Sequence, residues 1–266
     1  MLRSIKDIIG YPIDAVDGTI GKVKDCLFDD RHWRLRYLVA DTGHWLSKRK
    51  ALISPDHLKQ PELGWIGQKF PVDLTKEQIE ACPPLDSDAP VSRQYELEYA
   101  RYYKHPLYWD RPMVGEGAVG PYYSNKQETA FEHSDQEIKE HEERLEDIAH
   151  CHLRSVHEVI GYHIKAVDGE IGHIADIIME DTSWKFQYAV IDTRNWLPGK
   201  HVLIDIGWIE DLSWTDQLAK VNLNKEQIRI APHFDPHKPI NRDYEKSFYD
   251  YYGKPCYWEE PMSPTF

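Results

Sequence analysis

Hydrophobic and polar positions alternate with a period of two along Trp33, Leu35, Tyr37, Val39 and Asp41, with Arg34, Arg36, Leu38 and Ala40 between them. Successive side chains of a strand point to opposite faces, so this pattern predicts a strand half-buried on its aromatic face. The alternation returns at Trp184, Phe186, Tyr188, Val190 and Asp192. Ahead of each run, Asp17-Gly18 and Asp168-Gly169 sit between apolar residues and supply the positive φ that a tight hairpin needs. Residues 50–53 and 201–205 predict a fourth strand, and the stretches ending at Leu74 and Leu223 a last one. Five or six short strands in some 75 residues, with no long helix among them, point to a small closed β-barrel without exposed edges. The period then changes. Tyr95, Tyr99, Tyr102 and Tyr103 lie at i, i+4, i+7 and i+8, as do Tyr244, Phe248, Tyr251 and Tyr252, which predicts a short helix with an aromatic stripe. Before each stripe comes a smaller helix: Thr75 to Gln78 is a capping-box pattern, and Asn224 can cap the equivalent turn.

These paired observations are a duplication. Residues 2–53 and 153–204 align at an offset of 151 with 24 of 52 pairs identical. A second block, two residues shorter in the later copy, pairs Val72 with Val221, Lys76 to Ile79 with Lys225 to Ile228, and the Pro-x-Tyr-Trp knot at 106–109 with that at 255–258. The expected architecture is mainly β: two tandem small β-barrels, each with short C-terminal helices, joined by a charged helical linker. Its domains are a first unit over 1–114, an acidic linker over 115–150, and a second unit over 151–266. Within the linker, Asp135 to Ala149 reads as a solvated helix capped by Ser134 with Glu137 as capping-box partner.

Ile-Gly-Tyr, then Val-Asp-Gly-x-Ile-Gly, an acidic turn, Trp-x-x-x-Tyr-x-Val-x-Asp-Thr, and finally Lys-Glu-Gln-Ile before a Pro together resemble the PRC-barrel domain. That small β-barrel module is shared by the cytoplasmic part of the photosynthetic reaction-centre H subunit and a maturation factor of the small ribosomal subunit. The resemblance covers roughly residues 2–112 and 153–262, and it implies binding rather than chemistry, because the family has no common catalytic residues. The chain departs from the first relative in having no membrane-spanning helix and from the second in lacking basic character.

Charge sharpens this. With 32 Lys and Arg against 45 Asp and Glu, the net charge is −13, and no basic stripe stands out, which argues against a nucleic-acid partner. Nowhere do about 18 apolar residues run together, so membrane contact would be peripheral. The N-terminal stretch breaks its apolar residues with charges, against a signal peptide. The scattered Cys26, Cys82, Cys151 and Cys256 form no C-x-x-C pair and read as reduced thiols, so a cytoplasmic location is expected. His150, Cys151 and His152 raise the question of a metal, but they lack paired ligands at a defined spacing, and neither a metal nor a cofactor is expected.

No P-loop, nucleophile elbow, dinucleotide fingerprint or H-E-x-x-H is present, so the chain is read as a non-enzyme. Asp41 and Asp192 end their strands on the parity of the aromatic face. They are ligand-linked candidates, set against the plainer role of accepting backbone amides at the rim. The aromatic tails either form platforms for a planar ligand or partner, or pack back on their own barrel to extend a small core. The expectation is packing. Two related copies in one chain can bury a quasi-isologous interface as homodimers do. Trp45, Trp196, Tyr108, Trp109, Tyr257 and Trp258 are the residues expected at the contact between units or with a partner. The function expected is a protein-binding adaptor. The alternative is an accessory of photosynthetic or respiratory electron transfer that binds a quinone-like ligand or a membrane complex.

Overall fold

The computed structural model describes residues 1–43, 46, 51–59, 69–83, 91–108, 153–193 and 200–258. Thirteen strands lie among them: β1 (Leu2–Ser4), β2 (Pro12–Ala15), β3 (Gly18–Asp29), β4 (Arg34–Asp41), β5 (Ala51–Ile53), β6 (Phe70–Pro71), β7 (Leu153–Ser155), β8 (His163–Ala166), β9 (Gly169–Glu180), β10 (Phe186–Asp192), β11 (His201–Asp205), β12 (Ile209–Ser213) and β13 (Leu218–Val221). They form two sheets, in the orders β11-β10-β9-β8-β13-β12 and β5-β4-β3-β2-β6, with β1 added to β9 and β7 added to β3. The fold is therefore mainly β with two sheets, and among the described residues each sheet runs as an open order of strands. The capping boxes predicted at Thr75 and Asn224 both form, and the tail stripes lie on helices Arg93–Tyr103 and Arg242–Tyr252, capped by Ser92 and Asn241.

By contacts the chain divides into two compact units that cut across the copies. Unit 1 holds Met1–Tyr11, Asp25–Arg36 and Arg154–Phe266; unit 2 holds Pro12–Lys24 and Tyr37–Leu153. Unit 1 thus contains the second copy together with the N-terminal arm and a hairpin tip of the first.

Inside unit 1 the two copies exchange equivalent pieces. Strand β1 pairs antiparallel with β9, Arg3 opposite Met179, and β7 pairs with β3. Ser4 Oγ donates to Asp176 at 2.5 Å, and its repeat mate Ser155 Oγ donates to Asp25 at 2.6 Å. The same hydroxyls cap short helices by accepting from Asp7 N–H and Glu158 N–H. Arg3 Nε reaches Asp181 at 2.7 Å and Arg154 Nε reaches Asp30 at 3.1 Å. At the hairpin tips Trp33 and Trp184 take left-handed conformations, φ 51° and 60°, uncommon for bulky residues. Leu35 N–H donates to the Trp184 carbonyl at 2.9 Å and Phe186 N–H to that of Trp33 at 2.7 Å, so each turn exposes a carbonyl that the other copy uses. Each contact of one copy has its mirror in the other, as in an isologous dimer interface.

The prediction of strands half-buried on one face is corrected. Every residue of β10 is buried, as are Tyr37 to Ala40 of β4. In unit 1 the tail helix covers the aromatic parity, gathering Tyr188, Val190 and Leu203 with Phe234, Phe248 and Tyr249, while Ala189 and Ile191 on the opposite parity are equally buried. In unit 2, Tyr99 of its tail helix meets Tyr37 edge-on at 5.2 Å. The tails therefore pack on their own sheets.

Candidate functional site: buried tail-helix carboxylates and a histidine pair

Each tail helix buries one carboxylate. Glu96 is 1% and Glu245 2% exposed, and a buried charge needs several donors to be tolerated. In unit 2, Tyr37 OH donates to Glu96 Oε1 at 3.4 Å, Tyr108 OH at 3.0 Å, and Arg93 Nη1 to Oε2 at 3.1 Å. In unit 1, Tyr188 OH donates to Glu245 Oε1 at 2.8 Å and Arg242 Nη1 to Oε2 at 3.1 Å, while the same nitrogen reaches Tyr257 OH at 3.0 Å. The strand tyrosine, the helix Arg one turn before the Glu, and the Tyr of the Pro-x-Tyr-Trp knot thus converge in both copies. Burial pushes the Tyr37 and Tyr188 phenols far up, so both keep their protons and donate. Chemically, each cluster pairs its carboxylate with phenol and guanidinium donors and so fastens the knot to the helix.

Burial is also the largest influence on Glu245 and raises its carboxyl, against the opposing pull of Tyr188 and Arg242. Folding then favours the protonated form. The associated stability is fully present below the ordinary glutamate range, near pH 4.3, and is lost as pH rises through the folded value. Glu245→Gln keeps the acceptor and removes that loss. The variant should gain on the native protein between pH 4 and pH 7 in urea melts; a constant difference would refute the assignment.

Of the residues expected at contacts, Trp45, Trp109 and Trp196 lie outside the described residues. Tyr108 and Tyr257 are engaged as above. Trp258 stands over the Arg242 guanidinium at 4.2 Å yet remains 36% exposed. Asp41 and Asp192, predicted as equivalents, differ. Asp41 is exposed and accepts the Gly43 amide at 3.0 Å, the rim role weighed for it. Asp192 is buried, with His173 Nε2 at 4.0 Å and His201 Nε2 at 3.9 Å. The linker residues His150, Cys151 and His152 also lie outside the described residues.

Sequence reasoning did not single out the second polar group, which is confined to unit 2. His57 Nδ1 lies 2.9 Å from Asp73 Oδ1, His105 Nδ1 lies 2.9 Å from Asp56 Oδ2, and the two Nε2 atoms are 2.9 Å apart. The rings meet edge-on at 4.5 Å, with Tyr103 against His57 at 4.7 Å. Burial, and then the facing His105, hold the His57 imidazole below its ordinary range. A recess in the same unit, lined by Ala51, Leu52, Ile79, Cys82, Pro83, Tyr95 and Tyr103, has a volume of about 10 Å³, room for about one water.

No protein-family model and no curated protein matches the chain. Among the described residues, no helix is long and apolar enough to cross a membrane, and no three His, Cys, Asp or Glu side chains gather in a metal-binding group.

Proposed function

We propose that the chain is a non-enzymatic protein-binding adaptor, built as an internal pseudo-dimer of two PRC-barrel-like units. The observation that supports this reading is the reciprocal exchange: Ser4 with Asp176 and Ser155 with Asp25, Arg3 with Asp181 and Arg154 with Asp30. A chain that joins its copies through matched strands and tips has the contacts of a homodimer, with a second copy free to diverge at its surface. The aromatic best placed to meet a partner is Trp258, an indole that packs against Arg242, Tyr249 and Tyr257 and still remains 36% exposed. Tryptophan, with tyrosine and arginine, is enriched among the residues that carry most of the binding energy at protein interfaces.

The pseudo-dimer is tested by inserting a protease site in the linker, 115–150, and cutting the folded chain. The two pieces are expected to co-elute at the mass of the intact protein; pieces that separate would overturn the reading. Binding is tested by native mass spectrometry of the full chain purified from its own cells. A stoichiometric protein, lost on Trp258→Ala, is expected. A stoichiometric organic ligand in its place would overturn the adaptor reading and favour the electron-transfer accessory.

A further inference from the structure

Carboxylates only accept hydrogen bonds, so Asp73 and Asp56 fix the N–H of each imidazole at Nδ1. The two Nε2 atoms lie 2.9 Å apart, a hydrogen bond that one of the rings donates, and a cation that displaces that single proton has both Nε2 atoms within reach. We propose that His57 and His105 form a binding site for a divalent transition-metal ion of the Cu2+ and Ni2+ class. Imidazole is a preferred donor for these ions, and a carboxylate on the far nitrogen of each ligating histidine is the usual outer support of such sites. With metal–nitrogen bonds of about 2.0–2.1 Å, nitrogens about 2.9 Å apart subtend about 90° at a metal, an angle that suits a square-planar or tetragonal ion once the two rings turn their lone pairs toward it. The histidine side chains are 10% and 18% exposed, so water can complete the coordination.

The second copy shows that the repeat does not require this pair. At the equivalent positions it carries Trp208 for His57, Lys254 for His105, Asn222 for Asp73 and Gly207 for Asp56. There the Trp208 ring stacks on Phe248 at 5.3 Å and 10°. All four polar members are present in one copy and all four are replaced in the other, the pattern of a site held as a set.

The test is Cu2+ titration of the full chain, read by calorimetry and electron paramagnetic resonance. The native protein is compared with a His57→Trp, His105→Lys variant that takes the residues of the second copy. One Cu2+ equivalent with two equatorial imidazole nitrogens is expected in the native chain and absent from the variant, and Asp73→Asn should weaken it by roughly 10–100-fold. Thermal melting verifies that the double variant is folded; His105→Lys alone serves where it is not. A folded variant that keeps the native Cu2+ stoichiometry and the same nitrogen pattern would overturn the proposal, because the other histidines of the chain would then account for all binding.

Discussion

Gly172→Ala should lower the stability of unit 1 by about 2–4 kcal/mol, measured as a shift in the denaturant midpoint. Gly172 sits at φ +151°, and a methyl group built on it would lie 2.3 Å from the Asp192 carbonyl oxygen, 3.2 Å from that carbonyl carbon and 3.4 Å from Ile191 Cγ2. Those are atoms of β10, buried along its length, so the neighbour cannot swing aside as a flexible side chain would. Gly161 supplies the control. It too has positive φ, +102°, yet nothing lies within 4 Å of an added methyl, so Gly161→Ala meets only the backbone preference, on the order of 1 kcal/mol. Equal losses at the two positions would show that the close approach of β9 to β10 does not constrain the fold. The first copy repeats the feature at Gly21, whose added methyl would fall 2.1 Å from the Asp41 carbonyl oxygen.

Phe248→Ala should cost about 3–5 kcal/mol, the range for deleting a buried aromatic ring. Phe248 is 1% exposed. Its ring stacks on Trp208, meets Tyr188 edge-on at 5.5 Å, and touches Tyr252 at 5.2 Å, so removal leaves a cavity that several rigid rings cannot close. Tyr251 on the same helix offers the contrast. It is only partly buried, its hydroxyl donates to the Gln227 carbonyl at 2.9 Å, and Tyr251→Ala should cost much less. A loss below about 1 kcal/mol at Phe248 would mean that the tail helix is not part of the cooperative core.

Much of this was legible in the residues. The alternation from Trp33 to Asp41 and its repeat from Trp184 to Asp192 placed β4 and β10, and Thr75 and Asn224 placed the small capped helices, because these signals are local. The helical spacing of the tyrosines also found the tail helices. What escaped was non-local. A duplicated sequence does not say whether β1 pairs within its own copy or with the other, because both edges offer matching side chains; Asp25 and Asp176 are identical partners in the alignment. The burial of both faces of β10 followed from the helix laid over it, which period-two reasoning about a lone strand does not include. Glu96 and Glu245 carry no local signal that sets them apart from the other charges of their helices; their burial depends on Tyr37 and Tyr188, which reach them from the sheets. His57 and His105 are 48 positions apart, and neither belongs to a spaced motif. A signal was nonetheless present: aligning the copies sets His57 against Trp208 and His105 against Lys254, a joint departure from an otherwise repeated pattern.

The exchange of edge strands has a consequence for the order of synthesis. Leu2 finds its partner Glu180 across 178 positions of chain. At roughly 5–20 residues per second of translation, the N-terminal strand waits about 10–35 s before β9 has been made. Throughout that interval the first copy carries an unpaired strand and a β3 edge that is still waiting for β7. A neighbouring ribosome on the same message presents identical strands at the same moment, so the nascent chain passes through a window in which pairing between molecules competes with pairing along one molecule. Pairing within one molecule has the advantage in that competition that both strands belong to the same chain, which raises their effective concentration.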